Sequence, residues 1–332
     1  MDIQKQQIPW VDKYRPNRLD NIVHQSELMK TLKNILETGE MPHLLFHGPP
    51  GTGKTTTILA LANELFGPRK IKDRVLELNA SDDRGISAVR NEIITFAKTV
   101  VGNPDPKYKS PPYKILILDE ADAMTPDAQS ALRKVMEETS SITRFCLICN
   151  YVDKIIDPII SRCMQFRFMS INHVTMKRRL QYIAKKENLQ LDECIFDVIM
   201  DVVDGDLRKG IMLLQNLKYI YNVKKDIICD DVYDLVGFVP QKKVLQLIRN
   251  CKMPNIDIIN MAQTFYSLGY PIENLCEQIS SVLLIDNMID DKIKANILIE
   301  IADVCNNLND GSGEMIQLIK LLTMINNCFT NK

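Results

Sequence analysis

The run Gly48-Pro-Pro-Gly-Thr-Gly-Lys-Thr55 has the residue types and spacing to hold phosphate. It satisfies G-x-x-x-x-G-K-[ST] in full. Gly51 and Gly53 admit backbone conformations that other residues resist, so amide N–H groups can turn inward on an anion. Lys54 then reaches the β- and γ-phosphates, and the Thr55 hydroxyl is placed to ligate Mg²⁺. Pro49, Pro50, Thr52 and Thr56 complete the loop and the turn beyond it. The apolar run Leu44-Leu-Phe46 precedes the motif, and a helical pattern follows from Thr55. A strand, a glycine-rich turn and a helix N-terminus are the context that nucleotide binding needs.

Ile115-Leu-Ile-Leu-Asp-Glu120 supplies the other half of the chemistry. Its apolar residues predict a buried strand, with Asp119 emerging at the C-terminal end, where parallel sheets bind ligands. Asp119 is expected to hold Mg²⁺, directly or through water, and Glu120 to act as general base for an attacking water. Asn150 follows another buried run, Phe145-Cys-Leu-Ile-Cys149, and can orient that water. On residue type alone it also fits a turn asparagine. Arg162, in Ser161-Arg-Cys163, carries the planar fork suited to phosphoryl-transfer charge. By itself it also fits an ordinary surface arginine.

The elements that must position these groups are legible as a pattern. Strands are predicted at His43–Phe46, Val75–Leu78, Ile115–Leu118 and Arg144–Cys149, and helices at Thr55–Phe66, Ser87–Val100 and Asp127–Glu138. Strand alternating with helix implies a parallel sheet covered on both faces. Val101–Pro112 reads as a loop by its proline and glycine content. After about Phe168 the strand signals stop. Helices are expected at Asn172–Glu187, Asp192–Val203 and Asp206–Tyr221, and the chain beyond Gly237-Phe-Val-Pro240 is helical in pattern. There, Ile256, Ile259, Met261 and Phe265 recur at helical spacing, and a helical module without evident chemistry suggests packing or oligomerisation.

The 332 residues are 45% hydrophobic and 25% charged, the balance of a chain with a proper core and two or three domains. The net charge of −1 gives no electrostatic pointer to nucleic acid, although a local basic face can still bind it. Met1–Trp10 is polar and no long apolar run occurs, so neither a signal peptide nor a membrane span is expected. Nine cysteines in a chain of this size are expected to be reduced. Cys146 and Cys149 form a C-x-x-C inside an apolar run with no second pair nearby, which favours structural thiols over zinc.

Several strings together carry a family resemblance. They are Trp10-Val-Asp-Lys-Tyr-Arg-Pro16, the phosphate loop, Leu78-Asn-Ala-Ser-Asp-Asp-Arg-Gly-Ile86, Leu118-Asp-Glu-Ala-Asp122, Phe145–Asn150, Ser161-Arg-Cys163 and Gly205-Asp-Leu-Arg-Lys209. In this order they resemble the AAA+ ATPases, and within them the small subunits of the sliding-clamp loader, replication factor C. Arg144–Val152 is most similar to one branch of those small subunits.

The resemblance implies a P-loop AAA+ core over residues 1–168, a small helical lid over 169–237 and an all-α collar over 238–332. It implies that Val11, Tyr14, Arg15 and Pro16, with Val23 beside them, lie near the adenine of ATP. Asn150 corresponds to sensor 1 and Arg208 to sensor 2, reaching the γ-phosphate from the lid. Arg162 corresponds to a finger acting in trans on ATP held by a neighbouring subunit. Further implications are a hetero-pentamer of one large and four small subunits, the clamp PCNA as cargo, primer-template DNA as target and a nuclear location. Two competing roles are a branch-migration motor, against which Trp10–Pro16 and Ser161-Arg-Cys163 argue, and an ATP-binding structural subunit of a checkpoint or cohesion loader, against which the intact Asp119-Glu120 argues.

Asn79–Ile86 and the helix after it resemble the family's DNA-tracking segment, which makes Arg84 and Arg90 candidates for phosphate contacts. They are six residues apart, about 240° around an ideal helix, so they do not share a face if both are helical. The neighbouring Asp82, Asp83 and Glu92 leave a solvated-arginine reading open. Met124–Glu138 matches the clamp-facing helix, with Thr125 as cap and Pro126 in its first turn. The chain departs from the family pattern at Gly210, where alanine is usual, and at Lys134, often arginine.

Overall fold

The computed structural model describes residues 8–22, 26–81, 93–99, 101–253, 256–286 and 288–330. Arg84, Arg90 and Val23 lie outside the described residues. The chain divides into two compact units, residues 1–190 with 203–215, and residues 191–202 with 216–332.

The first unit is built on one parallel sheet. Strands β1 (His43–His47), β2 (Val75–Asn79), β3 (Lys114–Asp119), β4 (Thr143–Cys149) and β5 (Cys163–Arg167) are ordered β2-β3-β4-β1-β5. The first four coincide with the apolar runs in the sequence. The edge strand β5 was not expected. Only Cys163 and Phe166 of it are buried, so no continuous apolar run marks it.

Register sets the site. Leu147 of β4 pairs with Leu45 of β1 and with Leu118 of β3. The C-terminal ends of these strands are therefore level, and Gly48, Asp119 and Asn150 leave the sheet at one edge.

The helices of this unit are α1 (Trp10–Lys13), α2 (Ser26–Thr38), α3 (Lys54–Phe66), α4 (Ile71–Arg74), α5 (Pro126–Thr139), α6 (Asp157–Ile160) and α7 (His173–Lys186). Residues 93–98 are also helical. One face of the sheet packs Phe46, Ile115, Ile117 and Ile148 against Leu32, Leu61 and Phe66 of α2 and α3. The other packs Leu45, Leu116, Leu118 and Leu147 against Leu132 and Met136 of α5. Each such fully buried side chain stabilises by roughly 1.5–3 kcal/mol. Thr125 caps α5 as expected, its hydroxyl accepting from the Ala128 amide, with Pro126 at the helix start.

Cys146 belongs to the first of these cores and Cys149 to the second, so the two thiols face opposite sides of the sheet. Burial raises the Cys146 thiol well above its usual range and pushes Cys149 up to about 12. Neither is poised for redox chemistry.

The second unit is helical: α8 (Glu193–Val203), the later part of α9 (Leu207–Val223), α10 (Cys229–Val236), α11 (Gln241–Cys251), α12 (Ile258–Ser267), α13 (Ile272–Ile285), α14 (Asp291–Asn309) and α15 (Glu314–Thr330). Leu247, Ile279, Ile297, Leu318 and Leu321 form its core. In α12 the inward stripe runs through Ile258, Met261, Ala262 and Phe265, while Ile259 is exposed and Ile256 precedes the helix. Among the described residues no helix is long and apolar enough to cross a membrane.

Candidate active site

The loop after β1 closes on itself around glycines. Gly48, Gly51 and Gly53 all have positive φ. A Cβ on Gly48 would lie 2.1 Å from the Phe168 carbonyl oxygen, and one on Gly51 would lie 1.8 Å from Asp206 Oδ1. Gly53 precedes α3 in the left-handed region, with no side-chain cap. The first amides of α3 therefore lack partners and point at the loop. Thr52, buried, donates its hydroxyl to the Pro49 carbonyl at 2.9 Å.

Lys54 is 7% exposed. Its ammonium donates to the carbonyls of Gly48 (2.7 Å) and Pro49 (2.8 Å) and to Asn150 Oδ1 (2.9 Å). Burial pulls its proton affinity below the usual lysine value, while Asp119 opposes the shift. A lysine only donates, so the oxygen of Asn150 faces it and the amide nitrogen is left as a donor. The Asn150 and Tyr151 amides lie 3.4 and 3.3 Å from Asp122 Oδ2.

The Thr55 hydroxyl donates to Asp119 Oδ2 at 2.6 Å. The other oxygen of Asp119 accepts from the Glu120 amide at 2.9 Å. Glu120 is left-handed, with φ 54° and ψ 39°. A non-glycine residue held there costs of order 1 kcal/mol or more, and such residues cluster at functional sites. The turn brings Glu120 out at the strand end beside the carboxylate of Asp119.

One cleft is lined by Val11, Tyr14, Arg15, Pro16, Pro50, Gly51, Thr52, Gly53, Lys54, Thr55, Thr56, Asp119, Glu120, Asn150 and Arg208. Gly48 and Pro49 stand behind it through their carbonyls. Asn21 and Ile22 line the same space. Arg162 does not line it. Arg162 follows α6, where Nη2 meets Glu137 Oε1 at 2.6 Å and Nη1 donates to the Pro158 carbonyl at 2.7 Å.

Sequence reading missed several residues. Arg179, Ile171, Leu207 and Ile211 line the cleft. Arg179 sits beside the buried stripe Met176, Leu180, Ile183 of α7, a boundary position that carries no motif. Buried Gln129 bridges two loops: its amide nitrogen donates to the Met124 and Lys154 carbonyls and its oxygen accepts from the Ile156 amide. Asp206 was quoted in a motif without a role. It accepts from the Arg208 and Lys209 amides at 2.8 and 3.1 Å, and so caps α9.

The arrangement fits a nucleoside triphosphate with a divalent cation. The glycines leave a cradle that any Cβ would fill, and a hydroxyl–carboxylate pair stands beside it. Among the described residues no cluster of three acidic, histidine or cysteine side chains could hold a metal unaided. An ion here would draw its remaining oxygens from phosphate and water, as magnesium does.

Residues 44–171 match the ATPase family associated with various cellular activities (AAA), and residues 239–323 match the replication factor C C-terminal domain. Replication factor C subunit 2 of Saccharomyces cerevisiae is 44% identical over 328 residues, covering 96% of this chain and 93% of that one. Replication factor C subunit 4 of Homo sapiens is 43% identical over 320 residues, covering 96% and 88%. These two carry the numbering of the branch to which Arg144–Val152 is most similar. The Thermotoga maritima RuvB Holliday junction branch migration motor superposes with a TM-score of 0.53 at 18% identity, over 80% of this chain and 91% of that one. That likeness concerns fold alone. The nucleotide cleft, the parallel sheet behind it and the two family matches converge: the chain belongs to the replication factor C small subunits, a family of AAA+ ATPases.

Proposed function

We propose that this chain is an ATPase segment of a sliding-clamp loader whose active sites are shared between neighbouring subunits. The observation that carries this reading is the position of Arg162. The cleft holds a base wall, a phosphate loop, a sensor and a candidate base, yet Arg162 is paired with Glu137 outside it. An arginine in that position does not serve its own cleft, and by exchanging its Glu137 partner it can serve a neighbour's nucleotide.

In this mechanism Lys54 and the loop amides bind the phosphates, and Val11–Pro16 bind the base. Thr55 and Asp119 would hold Mg²⁺. The ion, when bound, neutralises charge on the β- and γ-phosphates. Glu120 takes a proton from the attacking water while Asn150 orients it through its free amide nitrogen. Arg208 reaches the γ-phosphate end from α9. A finger from the adjacent subunit completes charge stabilisation, and Arg162 performs that service in turn. Residues 169–237 act as the lid and 238–332 as the collar of a nuclear hetero-pentamer with one large and three other small subunits. ATP binding closes the ring on an open PCNA clamp and primer-template DNA, and hydrolysis releases both. The branch-migration alternative rests on fold likeness only, whereas the full-length relatives are replication factor C subunits.

The test is the assembled pentamer carrying Arg162→Ala. DNA-stimulated hydrolysis at the neighbouring site should fall by roughly 10³-fold or more, the scale of an arginine finger. ATP binding by the substituted chain itself should stay unchanged. Unchanged hydrolysis at the neighbour would sink the shared-site reading.

A further inference from the structure

Residues 10–19 form a strap along one wall of the cleft, and its hydrogen bonds change partner halfway. The first half is tied to α7 and α9. The Trp10 amide donates to Gln215 Oε1 at 2.8 Å. The Tyr14 carbonyl accepts from Arg179 Nη2 at 2.9 Å. The Tyr14 hydroxyl and the Lys13 ammonium both reach Glu187 Oε1 at 2.5 Å. Trp10 is buried and stands edge-on to the Tyr14 ring, with centroids 6.4 Å apart. The second half is tied to α3. Arg15 Nε donates to Thr56 Oγ1 at 3.4 Å, Asn63 Nδ2 to the Asn17 carbonyl at 3.0 Å, and the Leu19 amide to Glu64 Oε1 at 2.6 Å.

The switch falls between Tyr14 and Arg15, and both line the cleft. α1 is four residues long, too short to hold a shape of its own. Its position is therefore set by what it is tied to. A wall that recognises a base by contact must be fixed to within about 0.5 Å, which here requires α7 and α9 to be in place. The first turn of α9 also carries Arg208 at the same cleft. One pair of helices thus governs both ends of the nucleotide site.

We propose that Glu187, Gln215 and Arg179 are positioning residues that hold the strap as a base-binding wall, so that recognition of the base depends on the docked state of α7 and α9. The proposal rests on the reading of Val11–Pro16 as that wall. Arg179 and Tyr14 also line the cleft, so the discriminating variants are at Glu187 and Gln215.

The experiment measures equilibrium binding of ATP and of inorganic tripolyphosphate to the full chain by calorimetry. Glu187→Ala and Gln215→Ala should each weaken ATP roughly three- to tenfold, the scale of one lost hydrogen bond, and leave tripolyphosphate affinity unchanged. Glu187→Gln keeps an acceptor for the Tyr14 hydroxyl and should recover most of the loss. Tyr14→Phe combined with Glu187→Ala should be no weaker than the poorer single variant, because both remove the Tyr14–Glu187 hydrogen bond. Equal losses for ATP and tripolyphosphate, or unchanged ATP affinity in both alanine variants, would overturn the proposal. Wild-type chain that binds ATP no better than tripolyphosphate would remove the base-wall reading itself, and the proposal with it. Thermal unfolding without nucleotide separates a misfolded variant from a weakened wall, and the conservative Glu187→Gln change gives a second reading.

Discussion

In the proposed mechanism Lys54 and Glu120 divide the work of the site, the one binding and the other doing chemistry. Lys54 is held by two carbonyls and the Asn150 side-chain oxygen, a position that fits the proposed phosphate contact. Glu120 stands at the strand end in a left-handed turn, and the bonds that shape the turn run through its backbone amide and carbonyl, which a side-chain change leaves in place. Glu120→Gln should therefore leave ATP affinity within about twofold and slow single-turnover hydrolysis by roughly 10²–10⁴-fold. Clamp loading at the normal rate by an assembly with this variant would remove Glu120 from the role of base.

His43 has a different importance. Its Nδ1 accepts from the Phe145 amide at 3.1 Å, a bond that requires a neutral ring nitrogen. Burial, and then the charge of Arg144, push its pKa down from 6.5 to about 4. Between these values the unfolded chain binds a proton that the folded chain refuses. Stability from this group is full above pH 6.5 and is lost as pH falls toward 4. Denaturation midpoints at pH 7, 6 and 5 should fall less steeply in His43→Gln than in the parent, and equal slopes would discount His43.

At the scale of elements, α9 against α7 is the informative contact. Gly210 sits in the first turns of α9, and a Cβ there would lie 3.2 and 3.3 Å from the Leu180 methyls and 3.3 Å from Met176 Cε. Both neighbours are fully buried. The glycine lets the helices approach closely, at a propensity cost of about 1 kcal/mol relative to alanine. Gly210→Ala gains that propensity and must push flexible side-chain ends in a filled core. The two terms offset, so the net change in unfolding free energy should stay within about 1 kcal/mol. Urea denaturation checks it, and a destabilisation above about 2 kcal/mol would mean that α7 cannot give way. α5 shows a similar economy of design, with Thr125 at its start and Gln129 one turn on, tying the loop after β3 to the loop after β4.

For the whole molecule, electrostatics must be local. The net charge is −1, so attraction to a DNA backbone has to come from a basic stripe and not from the chain at large. Arg84 and Arg90 are the candidates from the sequence. In the assembled loader, Arg84→Ala with Arg90→Ala should weaken primer-template binding and lower the salt slope by about two, close to 0.9 per released counterion. An unchanged slope would return both arginines to a solvated face.

The sequence by itself determined the phosphate loop, the Asp119–Glu120 pair, four of the strands and, to within a residue, the starts of α3, α5, α7, α8 and α9. Each is written in residues close together, where backbone geometry and periodicity act over a few positions. The edge strand β5 escaped because an exposed edge needs no apolar run. Only the tertiary structure decided which distant groups meet. Tyr14 and Glu187 are 173 residues apart, and Trp10 and Gln215 are 205 apart. Glu137, which holds Arg162, and Asp206, which touches Gly51, carry no local signal of their partners. Such contacts depend on the register of the sheet and the packing of helices over it, which no short window of sequence encodes.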